Sequence, residues 1–476
     1  MRANNSSGTW SELLWGRNGL RSIALAGGIA LHAINVYIVS TVLPSVVSDI
    51  GGLEYYAWNM TLFVVTSIVG SALTPKSIDS IGLRNAFLVA IGIFIIGTAV
   101  CASAPHMVWM LAGRTSQGLG GGLMLGLSYA ATRILFEERL WPKAMALLSS
   151  MWGVATLAGP AIGGIFAQLD AWRWSFISVI PLSLGLALLV YTQITSSANN
   201  KGSNTSKVPV GQLGLMVIAV LVVSFASLSL SAWVNLFGIV FGVLLTVLIA
   251  RIDNTSSTRL LPNGAYSLGG GLGNIYACVA LLSITMTMEL FIPYFLQVIQ
   301  GFKPIWAGYF MVLISAGWST GSIISSSRSG TSADLLMRIG SIICSLAVAI
   351  LALVQPLHIP SILVLISTSI GLLLFFVGIG IGITWPHLLT EVFRTAPKGQ
   401  ENIASSAIIT VQLYALAFGA ALGGMVTNAS GFVDPGGFEG TRSASVALLL
   451  TLSVAPAISA VMVQAVVGRR IINRKT

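Results

Sequence analysis

Apolar runs long enough to cross a lipid bilayer recur along almost the whole chain, and this fixes the solvent in which it folds. A helical span needs about 20 apolar residues. Fourteen runs of that kind can be read, at 22–44, 56–76, 85–103, 107–135, 144–167, 174–194, 210–231, 233–251, 272–299, 305–326, 334–355, 360–389, 403–427 and 443–466. Hydrocarbon offers no partner to a backbone N–H or C=O, so each run predicts a helix. Only 8% of the residues are charged and 55% are hydrophobic, against about 25% charged in soluble domains. The expected fold class is therefore an all-α integral membrane protein, and an enzyme-sized soluble core is excluded. The first run continues to Leu43 with no short apolar core and cleavage site, which predicts a retained helix and not a signal peptide. Cys101, Cys278 and Cys344 all lie within apolar runs and read as small buried residues, not as a disulfide or metal framework.

The basic residues orient the chain. One set of loops and both tails hold Arg2, Arg17, Arg21, Lys76, Arg84, Arg133, Arg139, Lys143, Lys201, Lys207, Arg251, Arg259, Arg328, Arg338, Arg394, Lys398, Arg469, Arg470, Arg474 and Lys475, while the opposite loops hold only Arg173, Lys303 and Arg442. The positive-inside rule then predicts that both termini are cytoplasmic, in the plasma membrane of a bacterium (the inner membrane of a Gram-negative one). A net charge of +10 is explained by topology and contact with anionic lipid. Without a basic stripe with interleaved aromatics, no nucleic-acid partner is expected.

The polar stretch Ser196–Lys207 divides the chain. The expected organisation is a cytoplasmic N-terminal segment (1–21), a six-helix half (22–194), a linker (195–209), two inserted helices (210–251) that look lipid-facing, a second linker (252–271), a second six-helix half (272–466) and a cytoplasmic tail (467–476). An internal repeat supports the two halves. Arg139-Leu-Trp-Pro142-Lys143 after the fourth run returns as Arg394-Thr-Ala-Pro397-Lys398 after the twelfth, and Gly159, Gly163 and Gly164 return as Gly419, Gly423 and Gly424. Pro160 interrupts the first of these glycine stretches, which predicts a kinked helix closely packed against a neighbour. Duplicated six-helix halves imply a central site and rocking of one half against the other.

At these residues the chain resembles the major facilitator superfamily, and within it the fourteen-helix drug:proton antiporters. Gly159, Pro160, Gly163 and Gly164 resemble that group's antiporter motif. Leu111-Ala-Gly-Arg114-Thr-Ser-Gln117-Gly118-Leu-Gly120 is similar to its fourth-helix motif, and Trp172-Arg173-Trp174-Ser-Phe176 with Pro181 resembles the start of its sixth helix. Pro293 to Gly301 with Ala307-Gly308, and Thr410-Val-Gln412, resemble its ninth-to-tenth helix junction and its thirteenth helix. The resemblance implies the major facilitator fold: 14 transmembrane helices as two six-helix halves plus a two-helix insertion. Two departures stand out. The loop after the second helix keeps Asp79, Gly82 and Arg84 but lacks the motif's first glycine and one arginine. In the first helix Asn35 stands where the family carries a carboxylate, so any coupling proton must sit elsewhere.

Glu289 is the one carboxylate well inside a span. A charge at the bilayer centre costs at least ~2.5 kcal/mol and usually faces a cavity or partner. Thr285, Glu289 and Gln297 share a helix face, and Pro293 cannot donate to the Glu289 carbonyl. The residue is read as a proton-coupling acid, against the plainer reading of a protonated carboxyl bonded to a nearby carbonyl. His32, ~15 Å into the first helix, is a second proton-coupling candidate, although a lone His on an apolar face is more often a satisfied core residue. His387, beside Trp385 and Pro386, reads as interfacial. Arg114 either holds the first helix or tunes a carboxylate. Asn35, Tyr37, Trp58, Trp152, Thr285, Gln297, Trp318, Trp385, Gln412 and Tyr414 are the candidate cavity-lining residues, each of which could equally be packing or an interfacial anchor. No nucleotide loop, metal cluster or nucleophile–base pair is visible, so no cofactor beyond the proton gradient is expected and the chain does not read as an enzyme.

The expected function is secondary active export of lipophilic or amphipathic small molecules, multidrug-efflux type, by proton antiport with alternating access. Partners are the small-molecule substrate, the proton and the lipid bilayer; the protein is expected to be monomeric, and a Gram-negative source would add a periplasmic adaptor. With one buried acid and one buried base, neutral, zwitterionic or monocationic cargo is favoured. The alternative is a facilitator or importer of a specific metabolite with weak or no proton coupling. A membrane receptor or intramembrane enzyme is the remaining class, which the lack of a soluble domain and of a catalytic cluster disfavours.

Overall fold

The computed structural model describes residues 9–195, 208–267, 271–326, 328 and 331–473. The linker stretch 196–207 with Lys201 and Lys207, residues 268–270 of the second linker, and the terminal residues Arg2, Arg474 and Lys475 lie outside the described residues. Regular structure among the described residues is helical throughout, as backbone in hydrocarbon must be. A short α1 (Trp10–Leu14) leads into α2 (Gly16–Ile50), followed by α3 (Trp58–Ala72), α4 (Thr74–Ala102), α5 (Met107–Leu135) and α6 (Trp141–Gln168). The sixth run divides into α7 (Trp172–Ile177) and α8 (Val179–Gln193). The inserted pair is α9 (Val210–Ala226) and α10 (Ala232–Thr255). The ninth run forms α11 (Gly271–Met286) and α12 (Met288–Val298), and α13 (Pro304–Ser326), α14 (Thr331–Val354), α15 (Leu363–Thr395), α16 (Glu401–Ala429) and α17 (Gly437–Asn473) complete the chain. Among the described residues, 11 helical stretches are long and apolar enough to cross a membrane, and Val210–Ala226 is a shorter apolar helix.

The chain forms two compact units: Met1–Gly51 with Leu62–Val208, and Gly52–Thr61 with Pro209–Thr476. The inserted helices thus belong to the second unit. In that unit α9 packs on α10 and on α16. The Thr246 and Tyr414 hydroxyls lie 2.7 Å apart, and Asn428 of α16 donates to the Ser227 carbonyl at 3.1 Å. Trp233, Phe237 and Phe241 are exposed on one side of the pair, while the other side is bonded to α16. The loop after α10 is pinned by Asp253, which is 1% exposed. Its carboxylate accepts from the Leu260 and Leu261 amides at 2.7 and 3.1 Å, from the Tyr266 hydroxyl at 3.1 Å and from Gln212 at 3.3 Å. Burial, and then the neighbouring Asp253 carboxylate, push the Tyr266 phenol well above the usual tyrosine range. Asp253→Asn converts one acceptor oxygen into a donor facing other donors. It is expected to destabilise the loop by about 1–3 kcal/mol, read as faster hydrogen exchange at Leu260 and Leu261.

Glycine seams set the helix spacing inside each unit, and they repeat. In the first unit a Cβ on Gly118 would fall 2.2 Å from the Phe63 carbonyl oxygen, one on Gly122 would fall 2.1 Å from that of Ser67, and one on Gly120 would fall 2.6 Å from that of Ala90. Alternate glycines of α5 thus lie against α3 and α4. In the second unit Gly378, Gly382 and Gly380 of α15 repeat the spacing. A Cβ on each would fall 2.0, 2.1 and 2.5 Å from the carbonyl oxygens of Ile314, Trp318 and Gly340, respectively. Only glycine lets backbones approach this closely. The stretches recognised as a repeat in the sequence behave alike: Gly159 and Gly163 lie against Tyr37 and Ile38 of α2, and Gly419 and Gly423 against Thr287 and Phe291 of the ninth run.

Pro160 lies inside α6. Two local expectations change. The loop read at 77–84 is helical from Thr74, interrupted only at Gly82, whose φ of 78° is accessible to a residue without a Cβ. The ninth run is not one helix. It breaks at Thr287, whose amide donates to the Ile284 carbonyl at 3.1 Å while Leu290 donates to Thr287 at 3.1 Å. These tightened i,i+3 turns cover residues 284–290 and lead toward Pro293, which has no N–H to continue the α-ladder.

Candidate functional site

Polar side chains gather inside each unit. In the first, Arg114 of α5 is fully buried and donates through Nη1 to the amide oxygens of Asn35 on α2 and Gln117, the latter at 2.8 Å. Gln117 donates onward to Thr98 of α4 at 2.9 Å, and the Cys101 thiol lies 3.5 Å from its Oε1. The guanidinium stands 4.1 Å above the Phe63 ring. Phe63 in turn lies 5.0 Å from the His32 imidazole, which meets Trp152 edge-on at 6.1 Å. The stack Arg114–Phe63–His32–Trp152 rests on Gly121, where a Cβ would fall 2.7 Å from His32 Nδ1. His32 is 2% exposed and its Nδ1 has no hydrogen-bond partner among the described residues. Arg114 thus holds the first membrane helix through Asn35, in the place where the superfamily resemblance leads one to expect a carboxylate. Asn35→Ala removes that acceptor from a charged donor and is expected to cost about 1.5–3 kcal/mol, measured as a fall in the detergent melting temperature.

The second unit places Glu289 in the first turn of α12, directly after the break at Thr287. Its Oε1 is buried with no hydrogen-bond partner among the described residues. The opposite face of α12 is aromatic. Phe291, Tyr294 and Phe295 surround Tyr56 and Phe432, with centroid separations of 5.6 Å for Tyr56–Phe291, 5.3 Å for Tyr56–Tyr294 and 4.8 Å for Tyr294–Phe432. The Tyr56 hydroxyl donates to the Leu290 carbonyl at 3.1 Å.

The remaining candidates divide. Thr285 is buried and donates to the Leu281 carbonyl at 3.1 Å, and Gln297 is half-buried with Nε2 unpartnered among the described residues. Trp318 and Trp385 form a pair at 5.2 Å, and Gln412 is half-buried. Tyr37 is buried against Gly159. Trp58 packs edge-on to Phe225 at 4.8 Å, and Tyr414 is turned toward Thr246 of the inserted pair. Asp79 is exposed, while the Arg84 guanidinium lies 5.1 Å from the Tyr191 ring. Trp172 and Arg173 clamp Asp49 at the end of α2, at 3.0 and 2.7 Å. Phe63, Thr98, Tyr56 and Gln355 did not stand out in the sequence, and Gln300 did so only as part of the Pro293 to Gly301 stretch. Phe63 and Thr98 lie beside motif residues across helices.

Two bundles of apolar helices with matching glycine seams, each carrying polar groups deep inside, define a multi-pass α-helical membrane protein, and its family and relatives are transporters, not enzymes. The chain belongs to the Major Facilitator Superfamily, whose sequence model matches residues 25–420. It is 35% identical over 432 residues to a "probable multidrug-efflux transporter" of Mycobacterium tuberculosis, covering 89% of this chain and 90% of that protein. It is 24% identical to the multidrug efflux pump SdrM of Staphylococcus aureus, over 63% of this chain and 66% of the pump. Among solved structures, a POT family transporter in complex with 5-aminolevulinic acid superposes with a TM-score of 0.66 at 16% identity, covering 94% of this chain and 96% of that one.

Proposed function

We propose that this transporter exports lipophilic or amphipathic small molecules by proton antiport with alternating access, as a fourteen-helix drug:proton antiporter of the bacterial cytoplasmic membrane with both termini cytoplasmic. The observation that carries the reading is Glu289: a carboxyl inside the apolar second unit, at a broken helix, with an unpartnered oxygen. A group so placed exchanges a proton for a cargo more readily than it holds a permanent charge. The multidrug names of the relatives support export of chemically varied cargo. Eleven helical stretches are long and apolar enough to span; the fourteen-pass reading adds α3, α5 and α9 to them. Neutral, zwitterionic or monocationic cargo suits a single acid.

The test is flux of a lipophilic monocation in proteoliposomes, with and without a pH gradient. Antiport predicts uphill movement of cargo against the direction of proton flow. Equilibration that ignores the gradient would overturn antiport. It would favour the second reading, a facilitator of a specific metabolite, which the neutral Asn35 on α2 motivates.

A further inference from the structure

The polar groups of the ninth run form a file. On the wheel of α12, Glu289 and Pro293 fall within about 40° of one another and Gln297 within about 80° of Glu289, whereas Phe291, Tyr294 and Phe295 occupy the far side; Gln300 follows in the turn just past the end of α12 at Val298. The aromatic side is packed against Tyr56 and Phe432. The polar side is not satisfied by protein. Glu289 Oε1, Gln297 Nε2 and Gln300 Oε1 are buried without a hydrogen-bond partner among the described residues. Gln300, 3% exposed, uses its amide N–H groups on the carbonyls of Gln355 and Leu357, at 3.0 and 2.8 Å. This brings it against the end of α14, where the Gln355 side chain is 0% exposed and has neither amide atom partnered. Pro293 withholds the N–H that would otherwise occupy the Glu289 carbonyl, so a further acceptor opens on the same side between Glu289 and Gln297.

Unpaired buried amides cost several kcal/mol each in hydrocarbon. The ordinary remedy is bound water with two to four polar partners. The structure supplies such partners along about 12 Å of α12 from Glu289 to Gln297 and, past its end, at Gln300 and Gln355. We propose that the polar side of α12 carries a file of bound water, beginning at the Gln300–Gln355 pair and ending at Glu289, and that this file delivers the coupling proton. The proposal rests on the antiport reading and adds the route. Gln297, Gln300 and Gln355 are positioning residues for water and do not themselves take up the proton. Gln300 and Gln355 are uncharged, so the file conducts without adding a fixed charge to a cavity suited to monocations.

Two measurements on the full-length protein test it. In proteoliposomes with ethidium as cargo, Gln300→Leu and Gln355→Leu are expected to slow flux driven by the pH gradient by at least about tenfold and to raise its solvent deuterium isotope effect. Cargo counterflow without a gradient should be unchanged, and Gln355→Glu should restore the driven rate. Unchanged driven flux in both leucine variants would overturn the route while leaving antiport standing. A wild type that ignores the gradient would overturn antiport, and the delivery role with it. On wild-type protein, where no variant need fold, radiolytic hydroxyl labelling is expected to modify Pro293, which is buried and lies within about 40° of Glu289 on the polar side, where radicals born from bound water would reach it. Absence of labelling at Pro293, with exposed side chains labelled, would overturn the water file directly.

Discussion

Glu289→Gln is expected to reduce flux driven by the pH gradient to the level of protein-free liposomes. The amide has nearly the volume and polarity of the acid, so α12 should keep its packing against Tyr56 and Phe432, and the melting temperature should stay within a few degrees of wild type. It cannot bind a proton, so the exchange that links proton to cargo is lost. Cargo counterflow should persist, because a permanently neutral residue mimics one protonation state of the cycle and only the step between states is blocked. The signature is thus a split: gradient-driven transport absent, counterflow retained. Loss of both would point to Glu289 as a binding or folding residue. Unchanged driven flux would remove it as the proton site and turn attention to His32, the second proton-coupling candidate, which is 2% exposed.

The largest structural effect is expected at the glycine seams. Gly122→Ala would set a Cβ 2.1 Å from the Ser67 carbonyl oxygen and 2.4 Å from its Cα, and Gly382→Ala would set one 2.1 Å from the Trp318 carbonyl oxygen. These neighbours are backbone, which cannot swing aside as a side chain can. α5 must withdraw from α3, or α15 from α13. Overpacking of this kind costs typically about 1–3 kcal/mol, occasionally more, and here it is not relieved by any rotamer. Both variants should show reduced yield and a melting temperature several degrees lower. Gly153→Ala is the matched control. It lies inside α6 with nothing within 4 Å of its added methyl, and the helix propensity gain of alanine, up to about 1 kcal/mol, should leave it as stable as wild type or more so. Equal melting of all three would mean that the seams are looser than the carbonyl distances require.

The glycine stretches show how far a repeat can be read in one dimension. Gly159–Gly164 and Gly419–Gly424 were recognisable because both halves keep the same letters. The Gly118, Gly120 and Gly122 seam and its counterpart at Gly378, Gly380 and Gly382 were equally present in the letters. They acquired meaning only when their partners were seen to be the backbone carbonyls of Phe63, Ser67 and Ala90 and of Ile314, Trp318 and Gly340. Side chains that differ in kind hide a contact made by the main chain. The same holds for the site. Arg114 and Gln117 were legible as a motif, but their bonds to Asn35 and Thr98 join three helices, and no spacing along one helix reports them.

The sequence alone determined the membrane class, the helical content and the intramembrane acid. These follow from local free energies: the transfer of an apolar run into lipid, and the cost of a charge placed there, depend on the run itself. Tertiary structure decided the rest. It joined the inserted pair to the second unit through Ser227, Thr246 and α16, and it broke the ninth run at Thr287 beside Glu289. It also placed Gln355, 55 residues away in the chain, against Gln300. Hydrogen bonds and backbone approach between helices depend on which faces meet, and that choice is made by packing across the whole unit, beyond the reach of any single stretch.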